Sequence, residues 1–351
     1  MAISRVCRNC GFRNLPQGKI DRFFSNTAAN KYVVWRQHTM QKTIERLPLP
    51  DGTALRKIDW VAVLTIGSFH LVALLACLPW FFSWASVWVM LVGVFVFGYL
   101  GINLCYHRLL THKGLVCPKW LEHTFAVLAV CCAQDTPARW VGIHRWHHVK
   151  SDESEDPHTP LAGPFWGHMG WIFIQNEQVD RYAIYTRFAK DILRDPFYKK
   201  LETTARYPMI IVGSWLLFFL AGVVIELLLG GSLGHAIQFG AGLLIWGVFV
   251  RTVVVWHVTW SVNSLAHLYG YRNYNTPDDS RNNWFVALVT LGEGWHNNHH
   301  ADARSARHGH RWFEIDLTFS VIQLLERVGL ASEVVRPSKR LMDDKKIDTS
   351  D

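Results

Sequence analysis

Charge is scarce in this chain. Asp, Glu, Lys and Arg make up 18% of its 351 residues, below the roughly 25% of an ordinary soluble domain. Between Trp60 and His107 there is none. A disordered protein is excluded, because 50% of the residues are hydrophobic. A disulfide scaffold is excluded too: the cysteines are seven, at 7, 10, 77, 105, 117, 131 and 132. An odd number without a secretory signal peptide points to reduced thiols and a cytosol-facing protein. A zinc ribbon needs two CxxC pairs, and Cys7/Cys10 is the only one. No internal repeat is visible.

Aromatic residues are abundant instead, with 17 Trp, 20 Phe and 10 Tyr. Few charges and many Trp suit a membrane protein, whose rings favour the headgroup level. The charge-free stretch is long enough for two helices of about 20 residues each. Pro79, Trp80, Phe81, Phe82 and Trp84 read as the turn between them, which gives spans at about 60–78 and 87–105. A second pair lies at about 208–229 and 238–258, turning at Gly230, Gly231, Ser232 and Gly234 and interrupted only by Glu226 and Arg251. The predicted fold is an all-α integral membrane protein with four transmembrane helices.

The net charge of +8 sits in residues 1–57, with 11 Lys/Arg against 3 Asp/Glu; the remainder balances at 25 against 25. Beside a membrane such a basic N-terminal arm meets anionic lipid rather than nucleic acid. Both hairpin turns are nearly free of charge. The arm, the stretch 108–207 and the C-terminal part hold almost all Lys and Arg, so the positive-inside rule puts all three, and both termini, in the cytoplasm. The organisation expected is an arm at 1–57, a main domain at 58–337 and a polar, disordered tail at 338–351.

Nine of the 18 histidines form a pattern. His107 and His112 sit in HRLLTH, His144, His147 and His148 in HRWHH, and His296, His299 and His300 in HNNHH. His267 lies in NSLAH, four residues after Asn263. In a helix, positions i, i+3 and i+4 share a face, so each HxxHH triplet addresses one point. His107 and His112 are five apart and share a site only from different sides, or if the helix opens. The span order puts all nine on one side of the bilayer, near its surface. Neutral imidazole is a ligand for iron, zinc and copper, and nine are too many for one ion but suit two. A hard-cation site would be rich in carboxylates instead. The other nine His (38, 70, 123, 158, 168, 235, 257, 308 and 310) read as ordinary core or surface residues, although His158 in EDPHTP can support a ligand.

These strings resemble the membrane fatty acyl desaturases of the delta-9, stearoyl-CoA desaturase-like type. The resemblance runs from about Ile58 to Pro337. WVGIHRWHHVKSDESEDPHTP and GEGWHNNHHADARSARHG extend it beyond the boxes, the latter in bacterial style. It implies a helical cytosolic cap over the four spans, holding two iron ions. It implies as ligands His107, His112, His144, His147, His148, His267, His296, His299 and His300, with Asn263 acting through a water. It also implies O2-dependent insertion of a cis double bond into a saturated acyl chain carried by CoA or by a lipid; acyl carrier protein stays open as a further carrier. No haem-cytochrome domain is fused to the chain, so electrons are expected from a ferredoxin or a small haem cytochrome with its reductase. The location implied is a bacterial cytoplasmic membrane.

An unactivated methylene is too weak an acid for any general base, so the metal must do the hydrogen removal while the protein positions the chain. A histidine-box hydroxylase or ketolase would use the same metal and leave oxygen in its product. A metal transporter would need polar groups at mid-membrane depth, and the spans offer only His70, Asn103 and Arg251. Counting back from His107 with helical spacing, Tyr99, Val96 and Phe95 are the expected floor of the acyl tunnel, about 10 Å below the irons.

Overall fold

The computed structural model describes residues 46–347. The elements that matter here are β1 (Thr53–Ile58), α1 (Trp60–Cys77), α2 (Trp84–Thr111), α3 (Lys119–Val130), α4 (Pro137–Lys150), β2 (Ile174–Asn176), α5 (Arg206–Leu228), α6 (Leu233–Leu268), α7 (Trp284–Thr290), α8 (His296–Ala301), α9 (Leu317–Arg327) and α10 (Lys339–Lys345).

Four of these helices, α1, α2, α5 and α6, are long and apolar enough to cross a membrane. Three of the four, α1, α2 and α6, start where a polar side chain caps them. The Asp59 carboxylate accepts from the Ala62 N–H at 3.0 Å, and the Ser83 and Ser232 hydroxyls accept from Ser86 and His235 N–H. Such caps satisfy donors that the first helical turn leaves free. Pro79 opens the short turn that follows α1. α5 and α6 form a tight hairpin: a Cβ on Gly222 would stand 2.6 Å from the Gly240 Cα. Small residues at that crossing let the two backbones touch.

The predicted spans at 60–78 and 208–229 agree with α1 and α5 to within two residues. α2 and α6 differ. They continue past 105 and 258 to Thr111 and Leu268, and α6 begins earlier, at Leu233. Hydropathy marks only the stretch that suits lipid. The extensions are polar because protein covers them: His107, Arg108 and His267 are all buried. α6 is the central helix, with 61% of its most apolar window buried against 11% for α1 and α5.

The remaining helices cap one end of the bundle. α3 packs along the last turns of α2, where Cys105, Ala126, Ala129 and Val130 join one core. β1 pairs antiparallel with β2, Thr53 opposite Asn176, and the Asp59 N–H donates to the Phe173 carbonyl just before α1 begins. The boundary expected at 57/58 therefore falls within an ordered strand, because its pairing partner is more than 100 residues away in sequence. The tail also departs from expectation. Composition gives no reason for order after Pro337, yet α10 forms. Main-chain bonds from Asn275 to the Lys345 carbonyl and from Ile347 to the Asn273 carbonyl hold it, as does Lys345 Nζ on the Ala301 carbonyl. Cys7, Cys10 and the first part of the basic arm lie outside the described residues.

Candidate metal centre

The site begins with a change of winding. From Val94 to Thr111 the helix α2 uses i→i+5 bonds, and the His112 N–H donates to the His107 carbonyl at 3.2 Å. Such winding is rare and brings residues five apart onto nearly one face. The His107 and His112 rings end 4.8 Å apart, centre to centre. Of the two ways these histidines could share a site, the helix has opened.

α4 starts with Pro137 in its first turn, where the missing N–H costs nothing. It presents His144, His147 and His148. α8 presents His296, His299 and His300, and the end of α6 presents Asn263 and His267. The nine imidazoles form two groups. His107, His112, His144, His148 and His299 converge on one point, and His147, His267, His296 and His300 on another, with the ligand nitrogens of each group within 4.8 Å of one another. Each HxxHH triplet is divided. His144 and His148 go to the first group and His147 to the second. On α8 the assignment is reversed, with His296 and His300 in the second group and His299 in the first. Two facing helices that exchange one residue each hold the two points close together.

Carboxylates orient the rings. His107 Nδ1–H donates to Glu293 at 2.8 Å, His147 to Asp156 at 2.9 Å, His267 to Asp152 at 2.8 Å and His300 to Asp278 at 2.8 Å. A proton held on Nδ1 leaves the Nε2 lone pair facing inward. These Nε2 atoms crowd one another: His107 and His299 at 3.2 Å, His148 and His299 at 3.0 Å, His267 and His296 at 3.0 Å, His296 and His300 at 3.0 Å. Each close pair can be bridged by one proton, on the ring whose Nδ1 has no carboxylate, or by a cation bound to both lone pairs. Among the described residues, His112 Nε2 and the Nδ1 atoms of His296 and His299 are buried without a partner. This donor set fits two transition-metal ions.

Protonation favours the same state. Burial, reinforced by neighbouring imidazoles, holds His112, His144, His147, His148, His296 and His299 well below the usual histidine range. They stay neutral and able to ligate. Burial alone would raise Glu293, Asp152 and Asp278. Arg108 holds Glu293 low, and the His267 and His300 rings do the same for Asp152 and Asp278. Asp156 differs, because burial lifts it to about 6.

A cavity of about 990 Å³ runs past this centre. Asp135, Arg139, Asn176 and Arg181 lie on its polar side. His107, His144, Asn263 and His296 border it in the middle, and Ile66, Phe69, Ile102, Trp215 and Trp256 line its apolar end. Trp140 Nε1–H donates to Gln134 Oε1 at 3.4 Å, and Gln134 Nε2–H donates to Thr259 Oγ1 at 3.0 Å. These three wall residues spend their polar atoms on each other and leave the cavity face apolar.

Residues 82–323 match the fatty acid desaturase family. The chain belongs to that family. It is 42% identical over 284 residues, 81% of this chain and 96% of the relative, to an sn-1 stearoyl-lipid 9-desaturase of Anabaena variabilis. It is 40% identical over 284 residues, 81% of this chain and 71% of the relative, to a chloroplastic palmitoyl-monogalactosyldiacylglycerol delta-7 desaturase of Arabidopsis thaliana. It is 38% identical over 307 residues, 84% of this chain and 91% of the relative, to an acyl-CoA C20 Delta5-desaturase of Anemone leveillei. The protein is therefore a membrane-type desaturase, an oxidoreductase, and the family implies a di-iron cofactor, an acyl substrate, O2 and an electron donor.

Several groups in this desaturase escape sequence reasoning. Asp152, Asp278 and Glu293 are common acidic residues in polar stretches, and nothing local marks them as partners of histidines far away in the chain. His308 also joins the centre: it is buried, 4.4 Å from the His299 ring, and paired with Glu293 at 3.1 Å. It lies outside both HxxHH triplets, so its spacing marks it as an ordinary residue. The three residues expected at the tunnel floor, Phe95, Val96 and Tyr99, do not border this cavity. Phe95 is 39% exposed, and the Tyr99 hydroxyl donates to the Val289 carbonyl at 2.7 Å. The wide winding of α2 is the reason, because counting back from His107 by ordinary helical spacing arrives on the wrong face.

The carboxylate partners give a direct test. Asp278→Asn should keep the shape of the His300 contact but weaken its hold on the Nδ1 proton. Metal affinity or activity should fall by roughly 10–100-fold, measured as iron retained during dialysis against a chelator. Retention equal to the parent would show that the carboxylate does not orient the ligand.

Proposed function

We propose that this desaturase inserts a cis double bond at carbon 9 of a saturated acyl chain while the chain is esterified to a membrane lipid. The cavity that passes the histidines and ends in an apolar pocket carries this reading. From Asn263 to Trp256 is seven residues of α6, a depth of about 10 Å at roughly 1.5 Å per residue. The tail beyond a carbon-9 double bond in an eighteen-carbon chain is about eight bonds, on the order of 10 Å. A carbon-7 double bond in a sixteen-carbon chain leaves the same tail. A carbon-5 double bond in a twenty-carbon chain leaves about fourteen bonds, too long for this depth.

The mouth favours a lipid ester over CoA. Among the described residues, the guanidinium groups lining the cavity, Arg139 and Arg181, face Asp135 at 2.8 Å and Glu202 at 3.0 Å. The phosphates of CoA would need cations that are not already paired. A glycerolipid needs none, and its acyl chain already lies in the bilayer.

The nine histidines would hold two irons, with Asn263 beside them acting through a water. Bound there, the irons supply the reduction of O2 and the removal of two hydrogens. The balance is one –CH2–CH2– unit, O2, two electrons and two protons giving one –CH=CH– unit and two waters. The electrons come from a separate ferredoxin or small haem cytochrome with its reductase. The protein's own part is to hold the chain bent at the reacting carbons between apolar walls, exclude water from them and keep His112, His144, His147, His148, His296 and His299 neutral.

The test is expression in a desaturase-deficient host with brief labelling by saturated fatty acid. Double bonds should appear first in intact glycerolipid, at carbon 9. First appearance in acyl-CoA would overturn the lipid assignment, and a hydroxylated or keto product would overturn desaturation itself.

Both termini are proposed to lie in the cytoplasm, because the two hairpin turns carry almost no charge. A cysteine placed at Ser232, the cap of α6, should react with an impermeant reagent added outside. One placed at Arg304, exposed beyond α8, should react only after the membrane is opened. Reversed labelling would invert the topology.

A further inference from the structure

We propose that Phe69, Trp215 and Trp256 form a closed aromatic floor that sets the length of acyl tail this desaturase accepts. The proposal rests on reading the cavity as the acyl slot. The three residues come from α1, α5 and α6, and each is the lining residue of its helix furthest from the histidines. Their rings meet. Phe69 stands 5.6 Å from Trp215 and 5.0 Å from Trp256, centre to centre. Phe249 backs them, 5.0 Å from Phe69 and 5.1 Å from Trp215. Ring pairs at these separations pack firmly, and an alkyl tail that reaches them has no further room without moving a span.

The three are not equivalent. Trp256 is buried, and its indole N–H donates to the Cys132 carbonyl at 2.7 Å. Replacing it would strand a buried carbonyl. Among the described residues the Trp215 indole N–H has no acceptor, so apolar packing holds that ring and its loss orphans nothing. Phe69 carries no polar atom. Trp215 and Phe69 are thus the positions where the floor can be lowered at least cost. Ile66, one turn nearer the histidines on α1 and also in the lining, is where it can be raised.

The experiment uses the full chain in membranes of a desaturase-deficient host supplied with saturated fatty acids of sixteen, eighteen and twenty carbons. Trp215→Leu and Phe69→Leu should raise the ratio of twenty- to eighteen-carbon product by at least about tenfold, since one methylene of fit in an apolar pocket is worth roughly 10–200-fold. Ile66→Phe should move preference the other way, towards sixteen carbons. Val96→Trp, outside the lining, should leave both ratios as in the parent. Unchanged ratios in Trp215→Leu and Phe69→Leu proteins that still desaturate would overturn the floor. Should neither accumulate in the membrane, Ile66→Phe decides: no shift towards sixteen carbons overturns it equally. A parent protein that desaturates no chain would instead sink the proposed function, which separates the two failures.

Discussion

His299→Ala should cost the protein iron and lower desaturation by more than the 10–100-fold typical of losing an outer partner of a metal ligand. His299 is buried, and its Nε2 lies 3.2 Å from that of His107 and 3.0 Å from that of His148. It comes from α8, so its removal also loosens the tie between that helix and the end of α2. His147→Ala should do the same through the second group, where His147 is the one member supplied by α4. His235→Ala is the control. His235 is exposed in the first turn of α6, and its contact there is made by its backbone N–H on Ser232. Elemental analysis should find about two irons in the parent and fewer in the two variants, with His235→Ala unchanged. One zinc and no iron in the reconstituted parent, or full activity in His299→Ala, would refute the metal assignment.

Arg108→Ala should be the most destabilising single change outside the ligands. Arg108 is buried and bonds Glu293 at 2.8 Å, Asp316 at 2.9 Å and the Ala306 carbonyl at 2.7 Å. Its loss leaves two buried carboxylates without their cation, and breaking a buried ion pair in this way typically costs about 3–5 kcal/mol. Iron should be lost too, because Glu293 also orients His107. Unfolding measured in detergent should show the drop, and adding Glu293→Gln should recover part of it by removing one stranded charge. The same stability as Arg340→Ala, at a residue exposed on α10, would show that the network contributes nothing.

Hydropathy alone located the four spans, because water-to-lipid transfer depends on local composition and needs no knowledge of neighbours. The i, i+3, i+4 spacing of HRWHH and HNNHH announced two converging faces for the same reason: helical geometry is local. Even the awkward five-residue step from His107 to His112 carried information, since it posed the choice that the wide winding of α2 resolves. The pairing of those faces could not be read from the chain. Whether His147 joins His144 and His148 or crosses to His296 and His300 depends on how α4 and α8 are rotated against each other, and packing of whole helices sets that. The same holds for Asp152, Asp278 and Glu293, which differ from any other acidic residue only in what the fold brings to them. The floor of the cavity is the plainest case. Sequence reasoning followed one helix down from one histidine, whereas the pocket ends where Phe69, Trp215 and Trp256 meet from three helices. A contact among three spans belongs to none of them, so only the tertiary structure decided it.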